Sequence, residues 1–381
     1  MEYDMKILLA ILVLSFFAGC RESNSSKEEK DKDIVTDSEI ADDEDFYEND
    51  YSDSDLTQDI EIATDSEIIS DTDKENDTDI VPECDVPQAP VLEIIHKGAV
   101  LNFTTKTNSS ISVSVAKGSA QTFGEFEEKS SVTFSETGTF TVFAKLNNNK
   151  CLDVFSAVYE VRETYPPKAG DAGTTAVPKN DPAIVAWAEK VESINYGESV
   201  TDDFKTPEKA LGKASDDAFD IVSLGDKGEI VLSFKNPISD NDGYDFAVFE
   251  NSFSDLFLEL AFVEVSSNGS DFVRFFSSYL GTDEISPYGT LDPTLVGGFA
   301  GNYRQGFGSP FDLSNLKNTN EVAAGLIDLQ KIYFIKIIDI SGNGEESDSF
   351  GNTIFDPYPT KESAGFDLDA VGVIKTQKTV I

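Results

Sequence analysis

Apolar and polar residues alternate over short stretches through most of this chain, and Gly, Asn, Ser and Lys separate the stretches. Alternation with a period of two, rich in β-branched and aromatic residues, is typical of β-strands. The stretches of residues 84–164 are VLEII, AVLNFTT, SISVSVA, SVTFS, TFTVFAKL and SAVYEVR. Six or seven strands in a segment of about 80 residues favour an immunoglobulin-like sandwich.

A second series of apolar stretches fills residues 183–381. They are EIVLSF, DFAVFE, LAFVEVSS, FVRFFSS, IYFIKIIDI and FDLDAVGVI. Helical periodicity is scarce, and only AIVAWAEKVESI and PEKALG suit a turn or so of helix. We therefore predict an all-β protein whose C-terminal domain is a jelly-roll sandwich. Residues 165–182, rich in Pro, Gly and Ala, indicate a linker between the two sandwiches.

Residues 20–83 lack this alternation. From Arg21 to Cys84 the chain has 25 acidic and 5 basic residues, which supplies much of its net charge of -42. Such a segment cannot bury enough apolar surface to offset chain entropy, so we predict a disordered acidic tether. The acidic balance of the whole chain repels nucleic acid, which excludes DNA and RNA as partners.

The N-terminus carries a different pattern, an apolar run from Ile7 that ends at Cys20. The run is short for a membrane span, and its position indicates that residues 1–19 are a signal peptide. Met5, followed by Lys6 and the apolar run, suits the start of a signal better than Met1 with its acidic neighbours, and both starts stay open.

The ending FAGC resembles the lipobox of bacterial lipoproteins. That resemblance implies cleavage before Cys20 and palmitate or a similar lipid on the cysteine, so that the chain is anchored to a membrane. Arg21 stands where inner-membrane lipoproteins carry a retention Asp, which favours the outer membrane or cell surface. The alternative is ordinary cleavage, with Cys20 left as a thiol.

Export also bears on the two remaining cysteines. Cys84 and Cys151 predict a disulfide in an oxidising compartment, and the alternative is two unpaired thiols. The disulfide would close a loop of about 67 residues and contribute about 4 kcal/mol.

Two further resemblances are visible. ETGTFTVFAKLNNNKCLDVFSAVYEV is similar to the end of fibronectin-III-like modules. In residues 183–381, a series of motifs resembles an uncharacterised family of bacterial and archaeal "cell surface protein" domains. The motifs are FKTPEKALG, IVSLGDKGEIVLSFKNPI, GYDFAVFENSF, ELAFVEVSSNGSDFVRF, IKIIDISGNG and IFDPYPTKESAGFDLDAVGVI. The fold this implies is similar to the galactose-binding-like, or discoidin-like, jelly roll, in which many members bind glycans and hold structural calcium.

Acidic residues at strand ends predict where calcium would bind. DISGNG has the opening pattern of a calcium loop, but its twelfth position is Phe350 rather than Glu, so further ligands must come from elsewhere. If IYFIKIIDI and FDLDAVGVI are antiparallel neighbours, their acidic ends lie together, and DFAVFEN ends on the same side. The predicted ligands are Asp339, Ser341, Asn343, Asp367, Asp369, Glu250 and Asn251.

The alternative interpretation of these residues is solvated turns with carboxylates bound by backbone amides. The second candidate calcium site is SDNDGYD, from Ser239 to Asp245, although its pattern is more typical of a tight turn. Glycan contacts need exposed aromatic residues on loops, and the predicted ones are Tyr288, Tyr303, Phe307 and Tyr358. The alternative is that these rings cap the sandwich core.

Catalysis has little support, because residues 183–381 contain no histidine and no cysteine. That removes Cys–His and Ser–His arrangements and most zinc sites. We therefore expect a lipid-anchored surface binding or adhesion protein, not an enzyme, with a glycan or a surface protein as partner. The alternatives are a structural envelope component without a small ligand and a glycoside hydrolase accessory.

Overall fold

The computed structural model describes residues 85–147 and 154–375 of the chain. These residues belong to one compact unit, and they form two β-sandwiches that follow each other along the chain. The predicted all-β fold is confirmed.

The N-terminal sandwich is built from seven strands in the described residues. They are β1 (Ile94–His96), β2 (Val100–Asn102), β3 (Ile111–Lys117), β4 (Glu127–Glu128), β5 (Ser131–Thr133), β6 (Gly138–Leu146) and β7 (Phe155–Arg162). One sheet has the order β1-β7-β6-β3-β4, and β2 pairs with β5. Leu101 from β2, Val132 from β5, and Val142 and Tyr159 from the larger sheet meet in one buried core. All six strands that the alternation predicted are confirmed.

The C-terminal sandwich contains the remaining strands. They are β8 (Val177–Pro178), β9 (Ile184–Trp187), β10 (Lys190–Asn195), β11 (Val222–Ser223), β12 (Glu229–Ile238), β13 (Phe246–Glu250), β14 (Ala261–Ser266), β15 (Val273–Arg274), β16 (Ser278–Tyr279), β17 (Val296–Gly297), β18 (Phe307–Phe311), β19 (Ile332–Asp339) and β20 (Asp367–Ile374). One helix, α1 (Asn320–Ala323), and 3-10 turns at Asp202–Phe204, Pro207–Ala210, Pro293–Leu295 and Leu313–Leu316 complete the described elements.

Two antiparallel sheets face each other in this sandwich. Their orders are β10-β12-β19-β14-β15 and β11-β20-β13-β18-β8, with β9 beside β20 and with β16 and β17 paired apart. Alternate residues of each strand point inward, so Ile230, Ile337 and Val263 from the first sheet pack with Val248 and Leu368 from the second. This core fixes which strand ends meet at each end of the sandwich.

Two sequence predictions about this sandwich are wrong. AIVAWAEKVESI forms β9 and β10 rather than a helical turn, because its apolar residues pair with β20 and β12. β19 and β20 are not neighbours, since β19 pairs with β12 and β14 while β20 pairs with β13. They lie in opposite sheets, and their acidic ends still meet.

Residues 165–182, predicted as a linker, contact the C-terminal sandwich. The backbone N–H of Tyr165 donates to the carbonyl of Thr294 at 3.0 Å, and β8 pairs with β18. The Asn318 side chain also donates to the Ser156 carbonyl on β7 at 3.0 Å. The two sandwiches therefore share contacts beyond the connecting chain.

We expect Ile335→Val to destabilise the C-terminal sandwich by about 0.5–1.5 kcal/mol, because the lost methyl leaves a small cavity in a packed core. Ile335 is fully buried on β19. Urea unfolding followed by circular dichroism measures the change. As a control, Val185→Ala on β9 should stay within about 0.5 kcal/mol, since Val185 is 59% exposed; equal losses would contradict the packing described here.

Candidate cation site

Five buried carboxylates converge at one end of the C-terminal sandwich, and we call them the carboxylate cluster. They are Glu250, Glu259, Asp339, Asp356 and Asp367. Glu250 ends β13, Asp339 ends β19 and Asp367 begins β20. Each of the five is at most 5% exposed, so charges of one sign are held together away from water.

Backbone amides that are distant along the chain hold Asp339 and Asp356 in place. Asp339 accepts hydrogen bonds from the N–H of Lys227 at 2.8 Å and of Phe366 at 2.6 Å. The second bond joins the end of β19 to the residue just before β20, across the two sheets. Asp356 accepts from the N–H of Leu260 at 2.9 Å.

The other three carboxylates differ in their partners. Glu250 accepts from the N–H of Ser252 at 2.8 Å, and Asp367 accepts from the Ser223 hydroxyl. Glu259 is 5% exposed, and among the described residues no hydrogen bond reaches its carboxylate. A buried carboxylate without a donor is costly to keep charged.

Burial and mutual repulsion raise the pKa values in the cluster. Burial, followed by the charges of Asp367 and Glu250, raises the pKa of Glu259 well above its ordinary value. Burial raises the pKa of Asp339 to about 8, although two backbone hydrogen bonds oppose the rise. Burial and the neighbouring charge of Asp339 also raise the pKa of Asp356. Two things would neutralise such a group at neutral pH: bound protons or a hard cation.

A glycine shapes the approach to the cluster. Gly342 has a φ of +71°, and a Cβ at this position would clash with the carboxylate of Asp356. The loop after β19 can therefore close over Asp356 only with glycine here.

The structure brings together three of the seven predicted ligands: Asp339, Asp367 and Glu250. The Ser341 hydroxyl contacts Asn343 at 2.9 Å and Glu346 at 2.8 Å, so the DISGNG loop bonds to itself. These contacts occupy the loop oxygens that the motif assigned to calcium.

The remaining predicted ligands bind the 215–220 loop instead. Asn251 donates to the carbonyl of Ala218 at 2.6 Å. Asp369 accepts from the N–H of Ser215 at 2.9 Å, and burial raises its pKa to about 7 against the opposing charge of Lys179. Asp369 thus has partners of its own at the edge of the cluster.

The predicted ligand set did not include Glu259 and Asp356, which belong to the carboxylate cluster. A signal for Glu259 exists, because it lies between Leu258 and Leu260 and both leucines are fully buried. An acidic residue inside a buried apolar run needs a partner. Asp356 follows no comparable pattern in the sequence.

A tighter carboxylate group lies elsewhere. Asp240, Asp245 and Asp312 place carboxylate oxygens within 4.8 Å of one another, and they are the only such trio in the described part of the chain. Asp245 accepts from the N–H groups of Asn241 and Leu313, and Lys317 offsets the charges of the other two. These contacts suit the turn that SDNDGYD predicted. In the carboxylate cluster, by contrast, a cation would have to draw at least one side chain inward.

The four predicted glycan contacts differ in exposure. Tyr288 is 59% exposed, whereas Tyr303 is 4% exposed and its hydroxyl lies 2.8 Å from that of Thr175. The guanidinium of Arg304 covers the ring of Phe307 at 4.7 Å, and Tyr358 is half-buried.

One exposed aromatic pair was not predicted from the sequence. The rings of Phe219 and Phe253 lie 6.0 Å apart, and each is about half exposed, at 49% and 50%. They belong to the two loops that Asn251 and Ala218 join.

The predicted lipid site at Cys20 and the predicted disulfide between Cys84 and Cys151 lie outside the described residues. Within the described ranges, no helix has the length and apolar character needed to cross a membrane.

No protein-family model matches this chain, and no curated protein matches it. Among solved structures, it is similar to a SusE-like protein at 9% identity, over 76% of this chain and 96% of that chain, with a TM-score of 0.19. It is also similar to carbohydrate-binding modules of the β-sandwich superfamily at 10% identity, over 76% of this chain and 98% of that chain, with a TM-score of 0.19. Similarity at this level does not indicate what this chain binds, and the β-sandwich architecture rests on the strand pairings described above.

Proposed function

We propose that this protein is a lipid-anchored surface binding protein whose C-terminal sandwich is stabilised by calcium and whose ligand is a glycan. The observation that carries the calcium assignment is the carboxylate cluster itself, five acidic side chains that are each at most 5% exposed and in which burial and the neighbouring charges raise the pKa of Glu259. Oxygen ligands of this kind suit calcium, which accepts six to eight of them in flexible geometry.

The residues that would hold the ion are Glu250, Glu259, Asp339, Asp356 and Asp367. Bound calcium would supply positive charge, and residues of the chain would orient the carboxylates that bind it. Phe366 and Lys227 orient Asp339 through their backbone amides, and Ser223 orients Asp367. Once the repulsion among the carboxylates is removed, β13, β19 and β20 stay joined at this end of the sandwich.

The cluster also borders the loops that carry exposed rings. Glu250 accepts from Ser252, which is next to Phe253, and Asn251 bonds to Ala218, which is next to Phe219. Glu250 of the cluster and its neighbour Asn251 are therefore bonded to both loops. This supports ligand binding that depends on calcium.

Calcium should raise the melting temperature of the purified soluble chain. At a free calcium concentration about 100 times Kd, binding to the folded state adds about 2.7 kcal/mol of stability, and each kcal/mol shifts the melting temperature by about 2–4 °C at this domain size. Differential scanning calorimetry in BAPTA and in millimolar calcium measures the shift, with magnesium as the control ion. Equal melting temperatures in all three conditions would refute the cation site.

Glycan binding needs a separate test. The soluble chain, labelled outside both sandwiches, should bind an array of neutral oligosaccharides in calcium and bind more weakly in BAPTA. If the protein binds no oligosaccharide on the array, the result would favour the alternative function of a structural envelope component. The calcium shift and the array result are independent, so each part of the proposal fails on its own measurement.

A further inference from the structure

A cleft lies between the two sandwiches, apart from the carboxylate cluster. It consists of a cavity of about 90 Å³ and an adjoining one of about 290 Å³. Val91 and Glu93 from the N-terminal sandwich, and Asp312 and Asn315 from the C-terminal one, line both. The larger volume is near the lower end for small-molecule sites, about 300 Å³.

A chain of polar side chains runs along the smaller cavity. Glu93 and Thr175 both lie beside the hydroxyl of Tyr244 and affect its pKa. The Thr175 hydroxyl in turn lies 2.8 Å from that of Tyr303. The four residues come from both sandwiches and from the segment between them, so they assemble only when the sandwiches are in contact.

Two residues that line this cavity, Asn302 and Tyr165, carry a buried polar atom without a hydrogen-bond partner among the described residues. Asn302 lines the cavity, and its Oδ1 is buried without a hydrogen bond among the described residues. A buried acceptor costs free energy unless a donor reaches it. A ligand hydroxyl is such a donor.

The residues that line the cavity beside the polar chain include aromatic ones. Phe276 is half-buried, whereas Tyr165, Phe275, Phe299 and Phe311 are at most 4% exposed. Sugars combine apolar C–H faces with hydroxyl groups that both donate and accept, which matches rings beside a hydroxyl chain.

The charges at the cleft select against anions. Glu93, Glu160 and Asp312 line it, whereas Lys317 is the one basic residue among the lining side chains. Phosphorylated and carboxylated ligands would meet net negative charge. A neutral polyhydroxylated ligand would not.

We propose that the cleft between the two sandwiches binds the end of a neutral saccharide. This inference rests on the proposed glycan-binding function and gives it a location. The polar chain of Glu93, Tyr244, Thr175 and Tyr303 orients the sugar hydroxyls, Asn302 accepts one of them, and the exposed part of the aromatic lining contacts the C–H face. The exposed rings of Phe219 and Phe253 are the rival location, but the described residues show no comparable hydroxyl chain beside them.

The test uses the best neutral oligosaccharide from the array, titrated calorimetrically into the whole soluble chain. Tyr244→Phe removes one hydroxyl and keeps the ring, and we expect it to weaken binding about tenfold, the effect of one lost hydrogen bond. Asn315→Ala, at the junction of the two cavities, should also weaken binding. It provides a second variant if Tyr244→Phe unfolds the protein. Phe253→Ser should bind as the unmodified chain does.

The outcomes separate the two proposals. Normal binding by both cleft variants, or its loss in Phe253→Ser, would overturn the cleft and leave glycan binding intact. An array without any bound saccharide would overturn both. A calcium response without sugar binding would leave only the cation site.

Discussion

Glu259→Gln should stabilise the calcium-free protein and at the same time abolish its stabilisation by calcium. Glu259 is buried and repelled by Asp367 and Glu250, and the amide has nearly the same shape without the charge. Removing a buried charge that its neighbours repel restores about 1–3 kcal/mol. In millimolar calcium the variant loses a ligand, so the gain of about 2.7 kcal/mol expected at 100 times Kd should largely vanish.

Calorimetry of both proteins, in BAPTA and in calcium, measures these opposite effects. Glu189→Gln is the matched control, because it makes the same chemical change at an exposed residue. It should leave both melting temperatures within a degree or two. If Glu259→Gln melts lower than the unmodified protein in BAPTA, Glu259 has a stabilising partner and the cation site is wrong.

Much of the fold could be predicted from local pattern. β12, β14 and β19 carry apolar residues at alternate positions and β13 is a short continuous apolar run, and the structure forms strands at all four stretches. The exception, AIVAWAEKVESI, shows the limit of that pattern. A short apolar run fits a helix or a strand equally well until a neighbour supplies hydrogen bonds, and β20 supplies them here.

The candidate site could be predicted only in part. Glu250 and Asp339 each end an apolar strand, and Asp367 begins one. The strand directions therefore predicted that these three residues lie close together. The predicted pairing of β19 with β20 was nevertheless wrong, and the two residues meet across opposite sheets through the Phe366 amide. Asp356 lies in the long loop between those strands. Its place beside Leu260 depends on contacts about 96 residues apart, which no local pattern records.

The pH dependence of stability should differ in sign from that of a protein with salt-bridged acids. Without calcium, we expect the melting temperature to fall as the pH rises from about 5 to 8.5. The folded state holds protons on cluster acids whose pKa values are raised, and Asp339 rises from 3.8 to about 8. The unfolded chain releases those protons near pH 4. Folding therefore takes up protons between these values, and stability that is complete below about pH 4 is lost as the pH rises through the folded pKa.

Calcium should reverse this loss. Its carboxylate ligands must be deprotonated, so its affinity rises over the same pH range, and the gap between melting temperatures in calcium and in BAPTA should widen from pH 5.5 to 8.5. Asp245→Asn is the control, because burial raises the pKa of Asp245 to about 7 outside the cluster. That variant should flatten part of the pH slope and keep the calcium gap, whereas Asp339→Asn should reduce both. A calcium gap that narrows with rising pH would mean that calcium does not bind these carboxylates, because ligands that lose protons on binding must bind more tightly as protons become scarce.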